Sequence, residues 1–102
     1  MKLTFSERAW NHYHYGQAED PKLLGRINDL IKECLRDPFR GTGKPEPLAG
    51  NLSGWWSRRI NGEHRLVYRV SGIRPLGAEP GARRRREDEA QALEIAQCRY
   101  HY

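Results

Sequence analysis

The chain has 102 residues, 37% of them hydrophobic and 30% charged, with 18 Lys or Arg against 13 Asp or Glu for a formal charge of +5. That length carries one hydrophobic core, since two would leave about 50 residues each, near the lower limit for a domain that folds alone. Nothing approaches the ~20 apolar residues of a membrane-spanning helix, the opening Met1-Lys2-Leu3-Thr4-Phe5-Ser6 lacks the apolar run of a secretory signal, and Cys34 and Cys98 are too few for a disulfide scaffold, so a cytoplasmic protein with reduced core thiols is expected.

Lys2 to Phe5 alternates apolar and polar side chains and reads as a short first strand. Ser6 is a helix N-cap, Glu7 suits the first turn, and Trp10, Tyr13 and Gln17 follow at helical spacing, with Gly16 expected to weaken that helix near its end. Asp20-Pro21 starts a second helix, because a capping side chain precedes a proline at the first helical position. Leu23, Leu24, Ile27, Leu30, Ile31, Cys34 and Leu35 then form one apolar stripe closed by Pro38, which predicts a helix over 22–36. The two helices are expected as an antiparallel pair on one sheet face.

Residues 38–54 hold three prolines and four glycines and read as an ordered loop. Trp55 to Ile60 and Glu63 to Val70 read as two strands joined at Asn61-Gly62, the strongest short hairpin signal. His64, Leu66, Tyr68 and Val70 would face the helices, while Arg65, Val67 and Arg69 would form an exposed basic face. Residues 73–92, rich in Pro, Gly, Ala and charge, read as a long mobile connection, with a short helix over 82–92 as the alternative. Arg83 to Arg86 run straight into Glu87-Asp88-Glu89 and so read as a solvated charge run. Leu93 to Cys98 is the last predicted strand.

The charge is unevenly placed. Residues 1–37 and 76–102 each sum to zero, so the whole +5 lies in 38–75, where Arg40, Lys44, Arg58, Arg59, Arg65, Arg69 and Arg74 face only Glu46 and Glu63. Basic residues interleaved with Phe39, Trp55, Trp56 and Tyr68 fit phosphate and stacked bases, and equally fit a solvated sheet face. No CxxC or HExxH motif, Gly-rich phosphate loop or GxSxG is present, and His12, His14, His64 and His101 have no metal-ligand spacing with the cysteines. If the chain catalyses at all, metal-free and cofactor-free acid–base chemistry is what remains, and RNA cleavage is the reaction that fits a basic face. Attack by the RNA's own 2′-hydroxyl needs a base, a cation for the phosphorane and an acid for the leaving 5′-oxygen. Glu46, Arg59, Arg65 and His101 are the residues of the right type, although Glu46 reads equally as a solvated loop acid and His101 more readily as a frayed, functionless chain end.

The stretches GKPEPL (43–48), NLSGWWSRRI (51–60), EHRLVY (63–68) and the final Cys98-Arg99-Tyr100-His101-Tyr102 closely resemble the YoeB-type mRNA-cleaving toxins of the RelE superfamily, over residues 1–72 and 93–102. The resemblance implies an α+β fold of the microbial-ribonuclease type, with two N-terminal helices on a twisted antiparallel sheet in a single domain over 1–102. It implies a toxin of a type II toxin–antitoxin pair that cuts mRNA in the ribosomal A site. By the same resemblance Glu46 is the general base, Arg65 the phosphorane-stabilising cation and His101 the general acid, with Tyr102 orienting substrate. Lys44 and Arg59 assist on phosphate, and Arg58, Arg69 and Trp55 complete the expected RNA-binding surface. A YefM-type antitoxin is the implied partner, operator DNA is reached only through the antitoxin complex, and self-association stays open because some such toxins are dimers. The family usually joins its last two strands by a short turn, so the enlarged 73–92 connection is the departure; closing a loop of twice the length costs only about 0.6 kcal/mol. The competing readings are a non-catalytic RNA- or ribosome-binding module using the same basic face and, more remotely, a superfamily relative aimed at gyrase.

Overall fold

A computed structural model describes residues 1–72 and 91–100. The expected 73–92 connection therefore lies outside the described residues except for Gln91 and Ala92, as do His101 and Tyr102. The elements are β1 (Lys2–Phe5), α1 (Glu7–Glu19), α2 (Pro21–Arg36), β2 (Glu46–Pro47), a 3-10 turn (Gly50–Leu52), β3 (Trp56–Arg59), β4 (Arg65–Ser71) and β5 (Ala92–Gln97). They form a five-stranded sheet in the order β1-β5-β4-β3-β2 with the helices packed on one face, an α+β architecture as expected. The sheet is mixed rather than wholly antiparallel, because β1 runs parallel to β5. Parallel neighbours need a long crossover, and the two helices and the hairpin between β1 and β5 supply it.

Local signals explain most element boundaries. Ser6 Oγ accepts from Ala9 N at 3.0 Å to cap α1, and donates to Ala96 O at 3.0 Å, so one side chain starts the helix and ties it to β5. Asp20 serves both helices: its N–H closes α1 on Gly16 O, and its Oδ1 accepts from Leu23 N at 3.1 Å to open α2, with Pro21 at the first turn. α1 runs through Gly16 to Glu19, because Gly16 is buried against Leu24 of the returning helix. That contact, and the Tyr13 hydroxyl on Asn28 Oδ1 at 2.8 Å, place the helices side by side and antiparallel.

The core joins Ala9 of α1 and Leu23, Ile27, Leu30, Ile31 and Cys34 of α2 to Leu66, Tyr68, Leu93 and Ile95 of the sheet. Both cysteines are free and buried there, as expected. Burial pushes the Cys34 thiol up to about 11 and the Cys98 thiol up to about 12, so both stay protonated at neutral pH.

Two expectations are corrected in the hairpin. The strands end at Arg59 and resume at Arg65, paired with each other, so five residues rather than two make the connection. Asn61 closes it through its side chain, with Oδ1 accepting from the Glu63 and His64 N–H groups at 2.8 Å each, so the two-residue Asn61-Gly62 link gives way to an Asx-type turn. The last strand starts at Ala92 and ends at Gln97, one residue earlier at each end than the pattern suggests.

Arg58 is the larger correction. It does not face RNA: its side chain is fully buried, on the helix side of β3. Nε donates to the Tyr68 hydroxyl (3.2 Å), Nη1 to Thr42 O (3.2 Å), and Nη2 to Asp37 O (2.6 Å) and Arg40 O (2.8 Å), with Glu33 Oε1 at 3.6 Å from Nη1. The Thr42 N–H, bonded to the same carboxylate at 2.7 Å, is the main influence holding Glu33 below the usual carboxylate range, with the Thr42 hydroxyl and then Arg58 and Arg36 adding to it. Periodicity places Arg58 opposite Leu66 on the core side, and polar satisfaction is what lets a guanidinium stay there.

Arg58→Met is expected to lower stability by at least about 3 kcal/mol, because it strands several buried acceptors at once; urea denaturation measures it, and a change under about 1 kcal/mol contradicts the role given to this network. A second prediction concerns His12 of α1, whose Nδ1 accepts from Cys98 N at 3.3 Å. Burial, and then the nearby Arg8, Arg99 and His64, lower its pKa from the ordinary 6.5. The unfolded chain therefore binds this proton more readily, and stability is expected to fall as pH drops below about 6.5, with no contribution above it. Comparing urea midpoints at pH 7.5 and 5.0, the fall should be smaller in His12→Asn than in the parent protein.

Candidate active site

The sheet face away from the helices is organised by register into three rows. The middle row crosses four strands as Glu46, Ser57, Val67 and Gln97. On one side lie Arg59 and Arg65, directly paired. On the other lie Arg69 and Glu94, also paired, with the Trp55 ring 4.5 Å from the Arg69 guanidinium. Val67 and Ser57 are buried, so this face is not the uniformly exposed basic surface expected from alternation. Small side chains in the middle row form a floor between longer ones, and polar groups rim it.

Glu46 belongs to a strand, not to an irregular loop. β2 is two residues long and pairs Glu46 with Ser57, which turns its side chain onto the same face as Arg59 and Arg65. Arg59 lies diagonally across one strand, about 7–8 Å away at Cβ and within reach of a long side chain. Arg65 lies a second strand across, so carboxylate and guanidinium flank a gap whose lateral part is about 10 Å.

The approach to Glu46 is set by the loop that Arg58 holds. Gly43 O accepts from Arg59 N at 2.6 Å, which brings Lys44 alongside the end of β3. A Cβ at Gly43 would fall 2.9 Å from Arg59 O, and its φ is +85°, so only glycine allows this approach. Lys44 itself is left-handed at φ 51° and exposed, as is the Arg59 side chain.

Arg65 is preset by the Asx turn. Its Nη1 donates to Asn61 O (2.7 Å) and His64 O (3.0 Å), which leaves Nε and Nη2 without a partner among the described residues. A guanidinium anchored at one nitrogen presents its remaining donors as a fork suited to phosphate. Arg69 differs. It shares the face, but the Glu94 carboxylate bonds its Nε and the Trp55 ring stacks on it, so its charge is partly balanced in place.

Beyond β5 the chain curls back beside Arg65. Arg65 N and Gln97 Nε2 each donate to Tyr100 O at 3.0 Å, and Tyr100 N donates to His64 Nδ1 at 2.7 Å. Tyr100 adopts φ 67°, and its ring lies edge-on to both His12 (5.7 Å) and His64 (5.9 Å). The Arg99 guanidinium covers the Tyr15 ring at 3.5 Å and the Tyr100 ring at 4.5 Å. His101 follows Tyr100 by one peptide bond, and with Tyr102 lies outside the described residues. His12, Tyr15, His64 and Gln97 were not legible as site residues, since only the returning chain brings them to residue 100. Among the described residues, no group of three or more His, Cys, Asp or Glu side chains converges as metal ligands, and no helix is long and apolar enough to cross a membrane.

Comparison with known proteins bears out the resemblance drawn from the motifs. Residues 5–102 match the family model described as a YoeB-like toxin of bacterial type II toxin–antitoxin systems. Toxin YoeB of Synechocystis is 49% identical over all of this chain and 98% of its own length. The solved YoeB/ParE toxin from Agrobacterium tumefaciens aligns over 100% of both chains at 45% identity with a TM-score of 0.80. The Staphylococcus aureus YoeB, solved in a heterotetrameric YoeB-YefM toxin-antitoxin complex, aligns over 100% of this chain and 98% of its own at 41% identity and a TM-score of 0.75, and is also known as a dimer. Full-length identity at this level, on a fold that sets Glu46, Arg59 and Arg65 on one sheet face, shows that the chain belongs to the YoeB-like toxins of bacterial type II toxin–antitoxin systems.

Proposed function

We propose that this toxin is an endoribonuclease that acts on mRNA in the ribosomal A site and arrests translation. The observation that carries the reading is the shared face of Glu46, Arg59 and Arg65, with Tyr100 pinned to the Arg65 backbone at the edge of the same site. The Glu46 carboxylate takes the proton of a ribose 2′-hydroxyl, whose oxygen attacks the adjacent phosphorus. Arg65 offers the guanidinium edge that no described residue occupies to the equatorial oxygens of the phosphorane, where charge accumulates. Lys44 and Arg59 hold the flanking phosphate. His101, as the imidazolium, gives its proton to the departing 5′-oxygen, and Tyr102 orients the nucleotide. The products are a 2′,3′-cyclic phosphate and a 5′-hydroxyl, with one proton taken up and one delivered. The chain's own side chains supply every step, and no metal or cofactor is invoked.

The partner reading follows from the family. A YefM-type antitoxin, as in the Staphylococcus aureus complex, is the expected neutralising protein, with operator DNA engaged through it and a homodimer as the expected free state. Ribosomes place the activity in the cytoplasm.

Mapping mRNA 5′ ends on programmed ribosomes tests the mechanism. Glu46→Gln is expected to slow cleavage by roughly 10²–10⁴-fold, the scale of a lost general base. Arg65→Ala should slow it by roughly 10²–10³-fold, the scale of a lost transition-state donor, with antitoxin binding kept in both. Cleavage that persists in Arg65→Ala/His101→Ala overturns the mechanism, and indifference to Glu46→Gln with binding lost in Arg59→Ala favours a non-catalytic RNA-binding module.

A further inference from the structure

We propose that His64 is a positioning residue for this cleavage: its Nδ1, by accepting the Tyr100 N–H, fixes the turn from which the proposed general acid leaves. The proposal rests on the catalytic reading above and concerns a residue that has no place in that chemistry.

The observations converge on Tyr100. A non-glycine residue at φ 67° is held against its preference, so something must hold it. Both of its backbone polar groups are occupied, the N–H by His64 Nδ1 and the carbonyl by Arg65 N and Gln97 Nε2. His12 does the same two residues earlier, its Nδ1 accepting from Cys98 N. Two imidazoles thus take alternate amides of the 98–100 turn, and the Tyr100 ring lies against both.

His64 also touches the cation. Its carbonyl accepts from Arg65 Nη1, while its ring holds the segment that precedes His101. One residue therefore registers the phosphate-binding guanidinium against the chain carrying the acid. Proton transfer to a leaving oxygen tolerates little displacement, and a misplacement of about 1 Å can cost about 10²-fold in rate.

The bond requires an unprotonated Nδ1. In the neutral ring the proton then sits on Nε2, which faces Glu63 Oε2 at 3.9 Å. A proton on Nδ1 would set N–H against N–H and release Tyr100.

The test uses the full chain with His64 changed to Asn, Gln or Ala. Asn offers an oxygen near the Nδ1 position, whereas Gln mimics Nε2. Ribosome-dependent cleavage is expected to stay within about threefold of the parent in His64→Asn, and to fall about 10²-fold in kcat with little change in KM in His64→Gln and His64→Ala. Hydrogen exchange of the Tyr100 amide in the free protein should follow the same order, with protection kept by Asn and lost in the other two. Protection in His64→Asn is an arm that stands even if Gln and Ala fold poorly, and its loss there overturns the proposal. Equal cleavage by all three variants, or an equal fall in all three, overturns the proposal. A parent protein that does not cleave, yet shows this order of amide protection, overturns the catalytic reading and the positioning role with it.

Discussion

The buried guanidinium of Arg58 is the constraint on which the site depends. One side chain on β3 reaches Glu33 of α2, the Tyr68 hydroxyl of β4, and three carbonyls of the loop that follows α2. Tyr68 extends the network, its hydroxyl donating to Pro38 O at 2.6 Å, and burial pushes its pKa up to about 12, so it remains a donor. Taking a guanidinium out of water costs several kcal/mol unless its donors are met. Here most partners are the backbone carbonyls of a Gly- and Pro-rich loop whose Phe39 stays exposed against Trp56, outside the buried core. The charge thus fixes a segment that hydrophobic burial alone would leave loose. Gly43, Lys44 and Glu46 take their places from it.

The two faces of the sheet divide the labour. The helix side buries Leu66, Tyr68, Leu93 and Ile95 against α1 and α2, and supplies the apolar burial that stabilises the fold. The other side keeps small side chains at its centre and polar groups around them, which makes a shallow, charged floor. A sheet with one packed face is well suited to this, because alternation sends every second residue to the opposite task. The parallel β1–β5 pair adds a further consequence. It seats β5 between β1 and β4, so the chain leaving β5 emerges beside Arg65 rather than at a free edge.

The net charge takes on a different meaning once the partners are known. Arg58 is sealed in the core and out of reach of an anionic ligand, whereas Arg69 is half-exposed and already paired with Glu94. Among the described residues, the cations that remain open near Glu46 are Lys44, Arg59 and one edge of Arg65. Arg58, Arg65 and Arg69, identical in type and close in sequence, thus stand as core strut, partly open guanidinium and surface ion pair. Burial and register separate these roles, and composition does not.

The sequence by itself determined what depends on neighbours within a few residues. The caps at Ser6 and Asp20, the apolar stripe of α2, and the alternation that puts Arg65 and Arg69 on the face away from the helices are all short-range, and its motifs are dense enough to reveal the family. Tertiary structure decided what depends on residues far apart in the chain. Arg58 is read as a surface cation until α2 and the 37–42 loop close over it, because its partners are mostly backbone carbonyls, which leave no mark in a sequence. Asn61 closes the hairpin with its side chain rather than its backbone, since the Asx turn satisfies two N–H groups at once. The pairing of His12 and His64 with amides of residues 98 and 100 spans the whole chain. A hydrogen bond between such distant groups exists only after the sheet has set their separation, and no local pattern can encode it.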